Sequence, residues 1–399
     1  MGSTFRSWVR GVVGRFDVWS AIVAFSVTLP LAVAGHAQDS GIAAPGDSID
    51  SALAAIRGVG TEGAGFTAAI PAAERIRQLP PGELGRVLDA AADTNPIAEN
   101  WIRGLTVDIV RRAEEPPIGL LIDYVNDSDN NATGRGLAMD LIRRADPDRA
   151  AEMLEGLLED PSLSIRELAV EQAIGEAEQL AADDRQSDAL AAYRRTLTAA
   201  RHPKQLERIV AALGKLGDDV STSDAFAMIT EWQAIAPFDN ENGVGFDQAY
   251  PPEVQFAETG RIDLDAQWPG KTGTVRWQPL ESQDPEGIVD LAEAYDKEKG
   301  AVAYVYAEFE SDQAQPAEAR LACINANKVW INGEELMATE VYHAGMMIDQ
   351  YVAPFEMRPG TNRVLLKICQ NEQTESWAQR WQFQFRITDP SGKALRVAE

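Results

Sequence analysis

The stretch Lys328–Glu335, "KVWINGEE", decides the fold of the second half of this chain. Val329, Trp330 and Ile331 are β-branched or aromatic and fit a pleated, half-buried strand. The run stops on Asn332-Gly333, the dipeptide suited to the two φ > 0 positions of a type I′ turn, so the strand turns straight back on itself. Segments of the same texture lie on both sides: "TVRWQPL", "AVAYVYAEFES", "EARLACINAN", "MIDQYVAPFEM", "NRVLLKICQ" and "RWQFQFRITD". Upstream, "EWQAIAPF" reads as a first strand that leads into a Gly/Asn/Pro-rich loop. Roughly eight short strands separated by turns predict an antiparallel β-sandwich of the jelly-roll kind.

The first half has another texture. Residues 38–227 hold five aromatic side chains and 228–399 hold nineteen. Ala, Leu, Arg and Glu dominate the first segment and favour helix. In "AAEMLEGLLEDPSLSIRELAVEQAIGEAEQL", Met153, Leu154, Leu157 and Leu158 form one apolar stripe; Ile165, Leu168, Ala169 and Ala173 form the next. Pro161 in "EDPS" fits the opening of the second helix. Upstream, Leu120, Leu121 and Tyr124 precede a polar turn, and Leu137, Ala138 and Leu141 follow it. The spacing Asp127–Asp160 is 33 residues and Ala138–Ala169 is 31, a period that signals stacked helical repeats. Helices before strands predict separate domains: an N-terminal α-solenoid of helical hairpins over 38–224, then the β-sandwich over 225–399.

Three resemblances add to this reading. "LLEDPSLSIRELA", with Arg166 between paired helices, resembles HEAT repeats, and "SDALAAYRRTLTAARHPKQ" resembles a tetratricopeptide pair. The segment 228–399 resembles a galactose-binding-like jelly roll of the type attached to glycoside hydrolases. Val329, Trp330, Asn332, Gly333, Pro359, Gly360, Asn362, Leu366 and Lys367 match its "vW-NG … pG-N-l-vKv" pattern. Helical repeats ahead of such a domain are similar to uncharacterised exported planctomycete-type proteins. The resemblance implies a fold and leaves function open, because these jelly rolls bind sugars, lipids or proteins, or only brace a neighbour.

The chain has 36 Lys and Arg against 62 Asp and Glu, a formal net charge of −26, with the acidity spread over both halves. Such a field repels phosphate backbones, so nucleic acid is not the expected partner. Residues 1–37 read as an export signal: Arg6, Arg10 and Arg15 precede an apolar run, and small residues stand before a cut after Ala37. The expected location is periplasmic or secreted, with an uncleaved N-terminal anchor as the alternative and no membrane span in the mature chain. In that compartment Cys323 and Cys369 could form one disulfide; two separate buried thiols are the other reading.

Catalytic motifs are missing: there is no G-x-S-x-G, H-E-x-x-H or P-loop, and His202 and His343 have no obvious nucleophile beside them. The expectation is therefore a binding protein and not an enzyme. Its jelly roll would take a glycan or glycoconjugate, and its helical repeats would dock a protein. A cell-envelope scaffold without a glycan is the alternative, and a hydrolase with an unrecognised carboxylate pair is a third reading. In "KICQNEQTESWAQRWQFQF", Trp377 offers an aromatic face and Gln370, Asn371 and Gln373 offer amides for sugar hydroxyls. Trp381 instead alternates with Phe383 and Phe385, so it should be core. In "FDNENGVGFD", Asp239, Asn242 and Asp247 are hard oxygen donors that could hold a structural Ca²⁺; an Asx-rich turn without metal is the favoured reading. No other cofactor is expected.

Overall fold

The computed structural model describes residues 48–395. The export signal expected at 1–37 lies outside them. Among the described residues the chain is mixed α and β, and eleven α-helices precede the first strand. They are α1 (Ile49–Arg57), α2 (Phe66–Arg77), α3 (Leu84–Asp89), α4 (Pro96–Arg112), α5 (Ile118–Asn126), α6 (Ala132–Ala145), α7 (Pro147–Leu154), α8 (Leu163–Ala182), α9 (Gln186–Ala199), α10 (Pro203–Lys215) and α11 (Thr222–Phe226). None is long and apolar enough to cross a membrane.

Apolar stripes hold the helices together. Leu121, Tyr124, Leu137, Ala138, Leu141, Ile165 and Ala169, taken from the expected stripes, all enter one core. The helix expected through Leu158 ends sooner, at Leu154. Gly156 is a poor helix former, and Leu157 and Leu158 reach the core partly buried, from the turn. A buried ion pair ties α6 to the turn before α8. Arg135 donates to both Asp160 carboxylate oxygens at 2.9 and 2.7 Å, and its Nε donates to the Val125 carbonyl. Arg166 donates to the Asp160 and Glu159 carbonyls, closing the same turn.

The strands are β1 (Glu231–Asp239), β2 (Gln267–Gly270), β3 (Gly273–Arg276), β4 (Gln278–Glu281), β5 (Val289–Asp290), β6 (Ala301–Ser311), β7 (Gln315–Cys323), β8 (Ala326–Ile331), β9 (Glu334–Thr339), β10 (Tyr351–Met357), β11 (Gly360–Gln370) and β12 (Gln382–Thr388). They form a six-stranded sheet in the order β4-β1-β6-β11-β8-β9, a four-stranded sheet β10-β7-β12-β5 and the hairpin β2-β3. Every pairing is antiparallel. Strand alternation sorts the side chains. Val305, Phe309, Leu366 and Ile368 from the larger sheet meet Leu321, Trp381, Phe383 and Phe385 from the smaller one in a single core. The opposite face of the larger sheet carries Tyr304, Tyr306, Leu365 and Cys369.

That alternation decides the cysteine question. Cys323 points into the layer between the sheets and Cys369 points away from it. Both are free, buried thiols, and burial pushes both pKa values up to about 12.

The motif residues form one fastening. Asn332 and Gly333 have φ of 53° and 90°, as a type I′ turn requires. Asn332 donates to Asn362 Oδ1 at 2.9 Å and accepts the Arg363 N–H at 2.9 Å, so the two motif turns brace each other. Two further short helices, α12 (Val244–Asp247) and α13 (Pro251–Thr259), cover the outer face. Lys367, fully buried, donates to the Phe246 and Gln248 carbonyls and pairs with Glu253 at 2.8 Å. Tyr304 donates to the same carboxylate at 2.7 Å. Burial, with Glu253 second, holds the Tyr304 phenol well above its usual range. Here the cost of burying charge is offset because the ammonium has three partners.

A Cβ on Gly333 would stand 3.0 Å from the Phe256 carbonyl, at the end of α13. Gly333→Val therefore adds a close approach to an unfavourable φ. It should destabilise by about 1–3 kcal/mol in urea unfolding. A parent-like midpoint would show that the turn tolerates a side chain.

Candidate functional site

One end of the sheets gathers the candidate residues. β11 ends at Gln370, β1 ends at Asp239 and β6 begins at Ala301; the register places these three ends side by side, and β12 begins at Gln382 in the other sheet. Between β11 and β12 the chain crosses the end of the layer through residues 371–381.

Trp381 is fully buried, and Trp377 is 57% exposed on a short 3₁₀ turn, Ser376–Ala378. The break in alternation before Trp381 therefore marks where the chain leaves the core. The Trp377 and His343 rings meet in a T-shaped contact, with centroids 4.9 Å apart and planes at 84°. His343 Nε2 lies 3.1 Å from Asn371 Oδ1. Its Nδ1 is buried and has no hydrogen-bond partner among the described residues. Asn371 Oδ1 also accepts the Gln373 N–H at 3.2 Å, and its Nδ2 donates to Gln373 Oε1 at 2.9 Å. The result is an exposed indole beside an imidazole and two cross-linked amides. Gln373 is exposed and its amide nitrogen makes no hydrogen bond among the described residues.

Gln370 does not share this role. It is buried, and its amide is consumed internally. Its Oε1 accepts from Asn325 Nδ2 and from the Asn371 N–H, and its Nε2 faces the Ala378 and Arg380 carbonyls at 3.3 and 3.2 Å. Gln370 shapes the loop from behind and has no donor or acceptor to spare for a ligand. Lys299 likewise supports the turn from below by donating to the Ala378 carbonyl at 2.8 Å.

The candidate calcium loop stands next to this cluster. Asp239 Oδ1 accepts the Glu241 N–H at 3.1 Å, Asn242 sits at φ 57° and Asp247 is exposed. This is the geometry of an Asx-rich turn. The Asn242 N–H donates to the Glu372 carboxylate, which joins the loop to the Trp377 side. Among the described residues no group of three or more His, Cys, Asp and Glu side chains could hold a metal ion. The residue that fixes the loop is Asn240, buried between them. Its Nδ2 donates to the Gln370 carbonyl and the Tyr342 hydroxyl. In the sequence Asn240 reads only as one more oxygen donor of the candidate calcium loop, and His343 as a histidine without a nucleophile beside it. The one available signal for His343 was a histidine in a short polar loop, "EVYHAG", with no chemistry beside it in sequence.

The loop that carries His343 is anchored from the other side. Asp349 accepts from Arg386 Nε at 2.8 Å and from Arg320 Nη1 at 2.6 Å. Burial alone would raise the Asp349 pKa, but the Arg386 hydrogen bond and the two positive charges outweigh it and hold the carboxyl below its usual range.

No protein-family model matches the chain, and no curated protein matches it. Several solved structures show loose likeness. A β-glucosidase from Kluyveromyces marxianus is 10% identical over 22% of this chain and 11% of its own, with TM-score 0.18. The PA14 domain of the MpAFP antifreeze protein is 13% identical over 24% and 47%, with TM-score 0.19. The Pseudomonas fluorescens alkylpurine DNA glycosylase AlkC is 11% identical over 83% and 79%, with TM-score 0.21. This chain spans less than half the length of the first two. Scores this low do not establish a shared fold.

The two tryptophans separate recognition from packing. Trp381→Ala should destabilise by about 3–5 kcal/mol through a cavity, and Trp377→Ala by about 0.5 kcal/mol or less. Denaturant midpoints check both values. A strongly destabilised Trp377→Ala variant would make that ring structural.

Proposed function

We propose that this chain is an exported, non-enzymatic binding protein. In this reading 38–224 is an α-solenoid of helical repeats and 225–399 is a galactose-binding-like jelly roll that takes a carbohydrate or glycoconjugate at Trp377. The observation that carries it is the exposed Trp377 ring, in T-shaped contact with His343 and flanked by the Asn371 and Gln373 amides. An indole face stacks on the apolar side of a sugar ring, and the free amide hydrogens of Asn371 and Gln373 meet hydroxyls. The chemistry available elsewhere supports binding over catalysis. His343 faces an amide, and His202 caps the backbone N–H of Lys204. Both thiols are buried with raised pKa values, which keeps them protonated and unreactive.

A second reading, docking of a protein on the helical part, has its own support. Phe66 and Ile70 lie one turn apart on α2 and are 48% and 49% exposed. Phe66 also meets Trp101 edge-to-face, with centroids 5.6 Å apart. An apolar pair of this kind, backed by an indole, is the anchor that a protein partner uses.

A glycan array probed with the full chain and with Trp377→Ala tests the first reading. Binding by the parent that falls at least tenfold in the variant is expected. No glycan bound by the parent, or equal binding by the variant, would move the weight to the protein-docking reading.

A further inference from the structure

A second cavity, about 250 Å³, lies between the helical part and the sheet part. It is lined by Arg166, Arg201, His202, Gln205 and Arg320, with exposed Leu163 at its mouth. In a chain of net charge −26 this lining is unusual, because exposed Glu167 is its single carboxylate among the described residues. Arg320 is already neutralised by Glu318 and Asp349. Arg166 and Arg201 have no carboxylate partner within ion-pair distance among the described residues, and their hydrogen bonds go to backbone carbonyls: Asp160 and Glu159 for the first, Thr198 and Ala200 for the second.

Two polar atoms in this lining are buried without any hydrogen-bond partner: Arg201 Nε, a donor, and Gln205 Oε1, an acceptor. Gln205 is only 5% exposed. Orphaned groups of this kind each cost on the order of 1–3 kcal/mol, so the pair signals an absent partner. That partner must accept from a guanidinium and donate to an amide oxygen. Two guanidinium groups without an ion-paired carboxylate, with only the more distant charges of Glu159 and Asp389 acting on Arg201, favour an anion. The cavity is several times the volume of one water, about 30 Å³, and so has room for a tetrahedral ion. The first turn of α10, which opens at His202 and Pro203 in the same wall, adds a favourable dipole end.

We infer that this cavity is a binding site for hydrogen phosphate, with Arg201 and Arg166 on its charged oxygens and its O–H donated to Gln205. Burial first, and the Arg166 charge second, lower the Arg201 pKa against the opposing charges of Glu159 and Asp389. The site is separate from the one proposed at Trp377.

The test is calorimetric titration of the full chain with inorganic phosphate at pH 7, against sodium chloride of matched ionic strength. Saturable binding is expected. Arg201→Gln should weaken it at least tenfold. Leu163→Glu changes only an exposed residue at the first position of α8; it places a tethered carboxylate at the mouth and should weaken binding by a similar factor with an unchanged circular dichroism spectrum. Sulfate has no O–H at this pH and should bind more weakly than phosphate. The assignment is overturned by the absence of heat beyond the chloride control, by parent-like affinity in Leu163→Glu, or by sulfate that binds as tightly as phosphate.

Discussion

The Arg386 guanidinium is the constraint on which the rest of the structure depends. It projects from β12 on the face away from the inter-sheet core and is almost wholly buried. Asp349 receives two of its hydrogen bonds, at 2.8 and 2.5 Å, and the Phe226 ring lies 4.9 Å from its central carbon. A buried charge is tolerated only when it is paired and hydrogen-bonded, so this one fixes three things at once. It fixes the last helix of the helical part, the smaller sheet, and the loop 340–350. The seam is reinforced nearby: the Ser223 N–H donates to the Pro285 carbonyl and the Ile229 N–H to the Phe385 carbonyl. Phe226 also belongs to the helical core, so one side chain serves both parts.

The proposed glycan site inherits its order from that pairing. Asp349 and His343 lie on one short loop, which Asp349 ties to β12 and β7 through Arg386 and Arg320. The loop then presents His343 to Trp377 and Asn371. Gln370 and Asn240 hold the opposite wall from inside. An exposed indole with so few neighbours of its own needs such support to stay in one orientation.

Much of the fold was legible because it rests on local rules. Asn332-Gly333 makes the turn that its backbone preference demands, and the alternation of Trp381, Phe383 and Phe385 reads directly as one buried strand face. The same rule, broken at Trp377, located the exposed ring. The site itself was only half legible. Gln370 looked like its neighbours Asn371 and Gln373, and its burial follows from tertiary hydrogen bonds to Asn325 and to the crossing chain, which no short window contains. Arg386, Asp349 and Phe226 are far apart in sequence, and each alone looks like an ordinary surface or core residue. Leu157 and Leu158 continued a helical stripe in pattern, yet Gly156 ended the helix and let them reach the core from a turn.

Hydrogen exchange of Asp349→Asn tests this account most directly. Removing the carboxylate charge leaves Arg386 buried without a counter-charge, while Arg320 keeps Glu318. Exchange should then rise together in the loop 340–350 and in residues 222–228, while the paired strands β6 and β11 keep the parent's protection. Unchanged protection in both segments, or a uniform rise across the larger sheet, would contradict the claim that this one pairing joins the helices, the smaller sheet and the candidate site.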